Sequence, residues 1–502
     1  MNTIKEKFII GIDIGTTNIK GAVYSSSGKF ISAFNMNYGS LSPRTNYHEQ
    51  NPDDWVNCIF EVLSNLLKEN SIKRNITALS VSTQGGTIVP VDKDYNPLCN
   101  AITWLDRRGE EVLKKNEDLR NKNIEFYLKT GWRLDCNMSF LPLYWLKQNK
   151  KEIFSRIYKI LYVNDYVQNK FTGSSFQDPS NASISLFYNI RNNKWDEDIL
   201  KLSGIAENKF SEVKNSGTLV GYLKQEIYRK LKIEQKIAII NGGHDQYCAA
   251  LGAGVLNEDQ VLLSTGTAWV IFKMTDKPMF DEKSFFSVGR NIIRNKFGLV
   301  YSIPASGASV KWFAENLLNL KNEKALFEIE KTSYVRIKNS RNNIIFYPYL
   351  TGAFGPDFDT KKKASFLNIE IGHDFIDLYK SILEGIGFQL KRILSLLESK
   401  GNSINQIKMI GGASKSKIWS EIIADISEKD LLVPLNSQED YAVKGAAIIA
   451  GVGSGLFKSF RAGYETLKSE FHTIKPNRKN SGFYREKYKK YLNNQKSLYC
   501  RD

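Results

Sequence analysis

Phe8 to Ile14 is a short, almost unbroken apolar run that ends in the polar turn Gly15-Thr16-Thr17. Such a run, bounded by a turn, predicts a buried strand. Gly21-Ala22-Val23-Tyr24 reads as a second strand, Ser25 to Gly28 as a hairpin-type turn, and Lys29-Phe30-Ile31 as a third strand. Strands this close in sequence favour antiparallel pairing over a crossover through a helix. Pro52-Asp53-Asp54 opens a helix with Trp55, Ile59, Val62 and Leu66 on one face. Thr77 to Ser82 is a further strand that ends in a polar, glycine-rich turn.

After a stretch of amphipathic helices and basic loops at 110–235, a second series starts at Ile237 to Gly243. A small-residue helix over Ala249 to Gly254 follows, then a strand and turn over Gln260 to Thr267, then a returning strand, Trp269 to Phe272. The strand, Gly-Thr turn and strand of the N-terminus thus recur about 250 residues later, which predicts two related halves packed across a cleft. Leu378, Ile382, Ile386, Leu390, Ile393 and Leu397 mark one buried face of a long helix at 374–399. Ile407 to Ile410 is a strand before Gly411-Gly412-Ala413 and a helix at 416–427. A last small-residue helix, Ala442 to Gly453, allows close approach to another backbone or to a ligand.

The length of 502 residues fits roughly two to four domains. Five scattered cysteines with no C-x-x-C pair argue against a disulfide scaffold and a cysteine zinc site, and fit a reducing cytoplasm. No apolar run approaches the ~20 residues of a membrane helix, and Asp13 interrupts what could be a signal-peptide core. Lys and Arg number 70 against 53 Asp and Glu, a net charge of +17, which raises nucleic acid as a partner. The basic residues, however, are spread over loops and helices such as Lys114-Lys115, Lys361 to Lys363 and the tail Arg478 to Lys490. The tail's Tyr484, Tyr488 and Tyr491 stand at helical spacing and predict packing onto the domain. The surplus therefore reads as a lysine-rich surface rather than a nucleic-acid or membrane site.

The Walker, Rossmann and protein-kinase motifs are absent from the sequence. Gly15-Thr16-Thr17 and Ser264-Thr265-Gly266-Thr267 remain, each exposing successive backbone N–H groups and hydroxyls as a phosphate cradle would; the competing reading of either alone is an ordinary turn. Asp13 could hold Mg²⁺ through water, and Lys20 could offset phosphate charge. Asp245, in Gly242-Gly243-His244-Asp245-Gln246, suits either a general base for a substrate hydroxyl or a helix N-cap. Gln84-Gly85-Gly86 with Trp104, Asp106 and Arg107-Arg108 suits either a sugar site, the ring packing on C–H faces, or a half-buried Trp beside a surface ion pair.

In this order the motifs resemble the FGGY family of carbohydrate kinases, within the actin-like ATPase superfamily. The resemblance runs from Gly11 to Thr17 and Lys20 through Ser82-Thr83-Gln84, Trp104 to Arg107, Asp178 to Ser183, Gly243 to Gln246 and Leu251 to Gly254. It continues through Ser264 to Thr267, Gly307-Ala308-Ser309 with Trp312, Gly411 to Trp419 and Gly445 to Gly455. It implies an α/β fold of two RNase-H-like domains flanking a catalytic cleft, a sugar-binding one at 1–243 and a nucleotide-binding one at 244–502. It further implies ATP and Mg²⁺, with Asp245 as general base and Asp13 and Asp245 holding the metal through water. Thr16, Thr17 and Lys20 would meet phosphates; Thr267, Gly307, Lys311, Gly412 and Ser416 would line the nucleotide. Gln84, Gly85, Gly86, Trp104, Asp106 and Gln246 would face the sugar.

The implied reaction is transfer of the γ-phosphate of ATP to a sugar hydroxyl, on a ketose such as xylulose. Another polyol, an aldonate or an autoinducer-2-type sugar stays open, as do, in other classes, a non-catalytic sugar sensor and a chaperone-type ATPase. Xylulose kinases carry Gln-Met-His, and glycerol kinases Gln-Arg-Glu, where this chain has Gln84-Gly85-Gly86. The missing Arg and Glu argue against glycerol, and two glycines leave room for a larger substrate. A cytoplasmic enzyme, forming a homodimer as many relatives do, is the expected setting.

Overall fold

The computed structural model describes residues 6–320, 323–353, 355–436 and 438–499. β1 (Phe8–Ile14) is buried along its whole length, as its apolar run predicts. It pairs antiparallel with β2 (Asn18–Ser25), which pairs antiparallel with β3 (Phe30–Asn37). On its other side β1 runs parallel to β4 (Ile76–Thr83), and β4 parallel to β6 (Ala238–His244), with β5 (Leu219–Tyr222) antiparallel at the edge. The sheet order is β5-β6-β4-β1-β2-β3. Helix α1 (Pro52–Leu66) is capped by Asn51, whose side chain accepts from the Asp53 N–H, and buries Trp55, Ile59, Val62 and Leu66.

The second half repeats the plan. β7 (Gln260–Thr265) pairs antiparallel with β8 (Trp269–Thr275), and β8 with β10 (Phe297–Ile303), beyond which lies β9 (Ser287–Arg290). β7 runs parallel to β11 (Gln406–Gly411), β11 parallel to β12 (Asp430–Pro434), and β13 (Phe471–Ile474) closes the edge antiparallel. Each half is thus an antiparallel three-strand meander whose first strand continues into two parallel strands, the RNase-H-like arrangement. Since β1 and β7 are both central, the turns that leave them, at 15–17 and 266–268, hold equivalent places.

Two short helices join the halves. The predicted small-residue helix at 249–254 is α4 (Asp245–Gly252), starting directly at the end of β6. α8 (Tyr441–Gly453) crosses it so closely that a Cβ on Gly445 would lie 2.0 Å from the Cys248 carbonyl oxygen, and one on Gly252 2.0 Å from that of Tyr441. The glycines therefore serve backbone-to-backbone approach. α8 also packs on β1, where a Cβ on Gly11 would lie 2.0 Å from the Val443 carbonyl oxygen. One apolar cluster accordingly joins Ile9 and Ala78 of the first sheet to Leu262 and Phe272 of the second through α4 and α8.

The long helix is α6 (Phe375–Ser399), capped by Asp374. Ile382, Ile386, Leu390, Ile393 and Leu397 are buried, while Leu378 near its start is only half-buried. The C-terminal helix α9 (Arg478–Tyr499) lies against α6 and buries Tyr484 and Tyr491, with the Tyr491 hydroxyl accepting from Gln389 Nε2 at 2.7 Å. No helix among the described residues is long and apolar enough to cross a membrane. Cys58, Cys99, Cys136 and Cys248 are free thiols, and Cys500 lies outside the described residues.

Candidate active site

The antiparallel register sets Asp13 opposite Lys20, and the parallel register sets it opposite Ser82. Ser82 Oγ donates to Asp13 Oδ1 at 2.7 Å. Just beyond, the turn closes with the Gly15 N–H donating to the Asn18 carbonyl at 3.0 Å, and the Tyr38 hydroxyl donating to the Gly15 carbonyl. Thr16 is half-buried and Thr17 exposed on that turn. Burial, then the negative charges of Asp440 and Asp245, push the Asp13 carboxyl up to about 8, against the Ser82 hydrogen bond and the Lys20 charge.

Asp440 was not legible as a site residue. It caps α8, accepting from the Ala442 and Val443 N–H groups at 3.1 Å each, and it also holds Lys20 Nζ at 2.8 Å. The phosphate-facing role read for Lys20 is corrected to this extent: its ammonium is bonded to Asp440, 420 residues away in sequence. The only signal was an aspartate directly before a small-residue helix, an ordinary cap position.

Asp245 is the first residue of α4, and its carboxylate is partly exposed. The cap of this helix is His244, whose Nδ1 accepts from the Gln246 N–H at 3.3 Å. The N-cap reading of Asp245 is therefore set aside. Asp245 Oδ1 accepts from the same N–H at 2.6 Å and lies 3.2 Å from His244 Nδ1.

Gln84 leaves the end of β4 and donates through Nε2 to Gln50 Oε1 at 2.8 Å, while Gln50 Nε2 donates to the Thr16 carbonyl at 2.6 Å. Trp104 Nε1 donates to Thr16 Oγ1 at 3.1 Å, so the tryptophan and the first turn are directly joined. Its ring stays 38% exposed, available as a stacking face. Gln84 Oε1 and Gln246 Oε1 are buried without a protein partner among the described residues. Gly86 has φ +75°, and its carbonyl accepts from Ser139 Oγ at 3.1 Å.

Two expectations fail here. Asp106 is fully buried, and both its oxygens are taken. Oδ1 accepts from Arg108 N and Nε at 2.9 and 2.8 Å, and Oδ2 from His48 N and Arg108 Nη2, each at 2.8 Å. Arg108 also binds Glu49 at 2.6 Å and lies over the Tyr47 ring at 4.2 Å. Asp106 therefore holds the loop beneath Trp104 and has no oxygen left for a sugar. Nor does Gly85 leave room: a Cβ there would lie 2.4 Å from Cδ2 and 2.7 Å from Nε2 of His244, whose ring already fills that space.

In the second half, Thr267, Gly307, Lys311, Gly412 and Ser416 come together around one cavity of about 460 Å³. Gly307 is required there, since its Cβ would lie 2.2 Å from the Gly266 carbonyl oxygen. The Ala308 N–H donates to the Thr267 carbonyl at 3.0 Å, fastening the turn to the helix at Ser306–Trp312. Thr265, which the motif included without a role, ties β7 to β11 by donating to the Ile410 carbonyl at 2.6 Å and accepting from the Ala413 N–H at 3.1 Å. Ser416 caps the helix Lys417–Ser427. Lys311 is exposed, 3.7 Å from Glu315.

The rest of the cavity wall was not read as such from the sequence: Trp269, Phe327, Tyr379 and Trp419 supply flat apolar surface, and Glu315 and Glu330 two acids. Burial pushes the Glu330 carboxyl up, against hydrogen bonds from the Tyr379 and Ser416 hydroxyls. An apolar, aromatic slot with backbone N–H groups at one end suits a nucleoside polyphosphate. Asp13, Thr16, Thr17, Asp245, Gln84 and Trp104 lie outside this cavity, in the separate group around the first turn.

Among the described residues no three His, Cys, Asp or Glu side chains converge to ligate a metal directly. Asp13 and Asp245 nonetheless fit Mg²⁺ held through water, since the acid pressure that raises Asp13 is what a divalent cation relieves.

Fold and site together fit a two-domain phosphotransferase with a nucleotide-sized cavity in its second half. The models of the FGGY family of carbohydrate kinases match the chain twice, the N-terminal domain over residues 8–252 and the C-terminal domain over 261–454. The chain belongs to the FGGY family of carbohydrate kinases, phosphotransferases with an alcohol group as acceptor and ATP as donor. The xylulose kinase of Staphylococcus xylosus is 26% identical over 486 residues, covering 96% of this chain and 99% of that protein. The gluconokinase of Bacillus subtilis (strain 168) is 24% identical over 475 residues, covering 93% and 91%. The fold matches ligand-bound xylulose kinase from Lactobacillus acidophilus with a TM-score of 0.90 at 24% identity, covering 98% of both chains.

Proposed function

We propose that this carbohydrate kinase phosphorylates a ketose, xylulose being the first candidate. One observation carries the choice of an uncharged sugar. The groups around the first turn are acids and amides, Asp13, Asp245, Gln84 and Gln246, while the nearby cations Lys20 and Arg108 are bonded to Asp440 and to Asp106 and Glu49. The carboxylate of an aldonate would meet like charge without a partner. The relatives named xylulose kinase support this reading, and those named gluconokinase keep an aldonate as the second one.

In this reading Trp104 stacks on the sugar, and the orphaned Gln84 and Gln246 oxygens accept from its hydroxyls. Asp245 accepts the proton of the attacking hydroxyl, general-base help worth about 10²–10⁴ in rate. The backbone N–H groups of the two Gly-Thr turns hold the phosphates. Asp13 and Asp245 would hold Mg²⁺ through water, and the metal, when bound, would neutralise phosphate charge. Closing of the two halves excludes water, which would otherwise take the phosphoryl group.

The sugar side is assigned to residues 1–243 and the nucleotide side to 244–502; the family's N-terminal domain model extends further, to residue 252 through α4. A cytoplasmic setting agrees with the free thiols, and a homodimer is checked by sedimentation. The deciding assay is ADP release with D-xylulose, L-xylulose, gluconate and glycerol. Turnover with gluconate in preference to both ketoses would replace the ketose reading with the aldonate one. No turnover above background hydrolysis with any sugar removes it altogether.

A further inference from the structure

His244 belongs to none of the roles assigned above except the capping of α4. Its backbone is fixed: it pairs with Thr83 in the β6–β4 register, and its N–H donates to Ser180 Oγ at 2.9 Å. Its ring is fixed as well. Nδ1 faces the Gln246 N–H at 3.3 Å, and the ring meets the Tyr247 ring edge-on at 5.6 Å. The opposite edge, Cδ2 and Nε2, lies against Gly85 where that residue lacks a side chain.

The residue is only 7% exposed, yet Nε2 has no hydrogen-bond partner among the described residues. A ring nitrogen without a protein partner, on a residue otherwise held in place by its neighbours, is available to bond a ligand hydroxyl. Nε2 lies against Gly85, the residue that follows Gln84 with its orphaned Oε1. Across Gly86 the nearest atom to an added Cβ is the Trp104 Cβ, at 3.5 Å, an ordinary contact distance, so Trp104 borders this turn. The imidazole therefore takes the place that a side chain at position 85 would occupy, but it is delivered from the strand that carries Asp245.

We infer that His244 is a specificity-determining residue of the sugar site, its Nε2 hydrogen-bonding a hydroxyl of an uncharged sugar that lies over Gly86 against Trp104. This deepens the ketose reading above and rests on it. A second consequence is that positions 85 and 244 are coupled: side-chain volume is available at one or the other, not at both. Because Asp245 follows directly, the residue that contacts the sugar and the base that deprotonates it move as one unit at the start of α4.

The test uses the full-length protein and separates contact from capping. In His244→Asn, the amide side chain keeps an N-cap acceptor but is too short to place a polar atom at Nε2. The expected result is a sugar KM raised roughly 10- to 100-fold, with kcat within about threefold and the KM for ATP and the melting temperature unchanged. His244→Gln, whose amide reaches further, is expected to recover part of the sugar KM. If capping and positioning of Asp245 were the whole role, His244→Ala would lower kcat and His244→Asn would restore it with the sugar KM unmoved, and the inference would fall.

The coupling has its own readout. Gly85→Ala alone is expected to lose sugar binding, followed through Trp104 fluorescence without nucleotide, and Gly85→Ala combined with His244→Gly to regain it with a changed order of preference among the four sugars. A double variant no better than Gly85→Ala would overturn the shared-space argument. Failure of the wild-type protein with every sugar removes the kinase reading, and this inference with it. Normal wild-type turnover with an unaltered His244→Asn removes the inference alone.

Discussion

Gly307→Ala tests whether the second Gly-Thr turn is a phosphate cradle or only a connection. The added methyl would stand 2.2 Å from the Gly266 carbonyl oxygen and 3.4 Å from Thr267 Cα. A carbon and a carbonyl oxygen rest comfortably at about 3.3 Å, so one backbone must retreat by about 1 Å. The helix Ser306–Trp312 is anchored by Ser306 Oγ on the Ile303 carbonyl at 2.9 Å, whereas Gly266 and Thr267 are exposed. The turn therefore moves, carrying the Thr267 N–H away from the phosphates. A 1 Å displacement of positioning groups is worth on the order of 10²-fold in rate. Steady-state kinetics should show kcat/KM for ATP reduced about 10²-fold and the sugar KM little changed, with a melting temperature within a few degrees of wild type. A variant with wild-type ATP kinetics would mean that the 266–268 turn does not position the nucleotide, and the cradle reading would be wrong.

Three further outcomes are expected. Asp245→Asn should lower kcat about 10²–10⁴-fold while calorimetry shows ATP binding unaltered; retained turnover would remove Asp245 as the base. Asp106→Ala should cost roughly 3 kcal/mol in denaturant titration, because it leaves Arg108 with Glu49 as its one carboxylate and the His48 N–H without its acceptor; a fall in sugar affinity at native stability would return Asp106 to the sugar. Asp165, buried beneath Ser211 Oγ at 2.7 Å, has its carboxyl pushed up by burial to about 7, so the folded state holds its proton more tightly than the unfolded chain. Its contribution to stability is therefore complete below the unfolded value near 4 and is lost as pH rises toward 7. Asp165→Asn should flatten the stability slope over that window, and an unchanged slope would contradict it.

Both sheets could be read from the chain because their information is local. Phe8 to Ile14 and Gln260 to Thr265 are short apolar runs closed by Gly-Thr turns, and adjacent strands pair through those turns. The cavity's glycines and hydroxyls were legible for the same reason, each standing at a strand end. Its aromatic wall was not, since Phe327, Tyr379 and Trp419 sit on three separate helices, and neither the burial of Tyr379 and Trp419 nor the exposure of Phe327 marks a shared cavity in the sequence. Asp106 misled because a Trp-Leu-Asp-Arg-Arg string looks the same whether Arg108 folds back onto Asp106 or both reach solvent. Asp440 and His244 depend on partners brought near by folding, Lys20 and Gly85 respectively, and spacing along one chain carries no trace of that.

The docking of α8 on β1 also sets a timetable. Gly11 meets the Val443 carbonyl, so the face of the first sheet stays uncovered until a segment about 430 residues later has been made. At typical rates of synthesis that interval is roughly 20–90 s. Throughout it Ile9, Ala22, Ala78 and Ile240, which end up inside the shared apolar cluster, lack the cover that α8 gives them. The nascent first half is therefore a natural client for a chaperone on the ribosome. A chain cut before Tyr441 should leave that half sticky and prone to aggregate, however complete its own sheet.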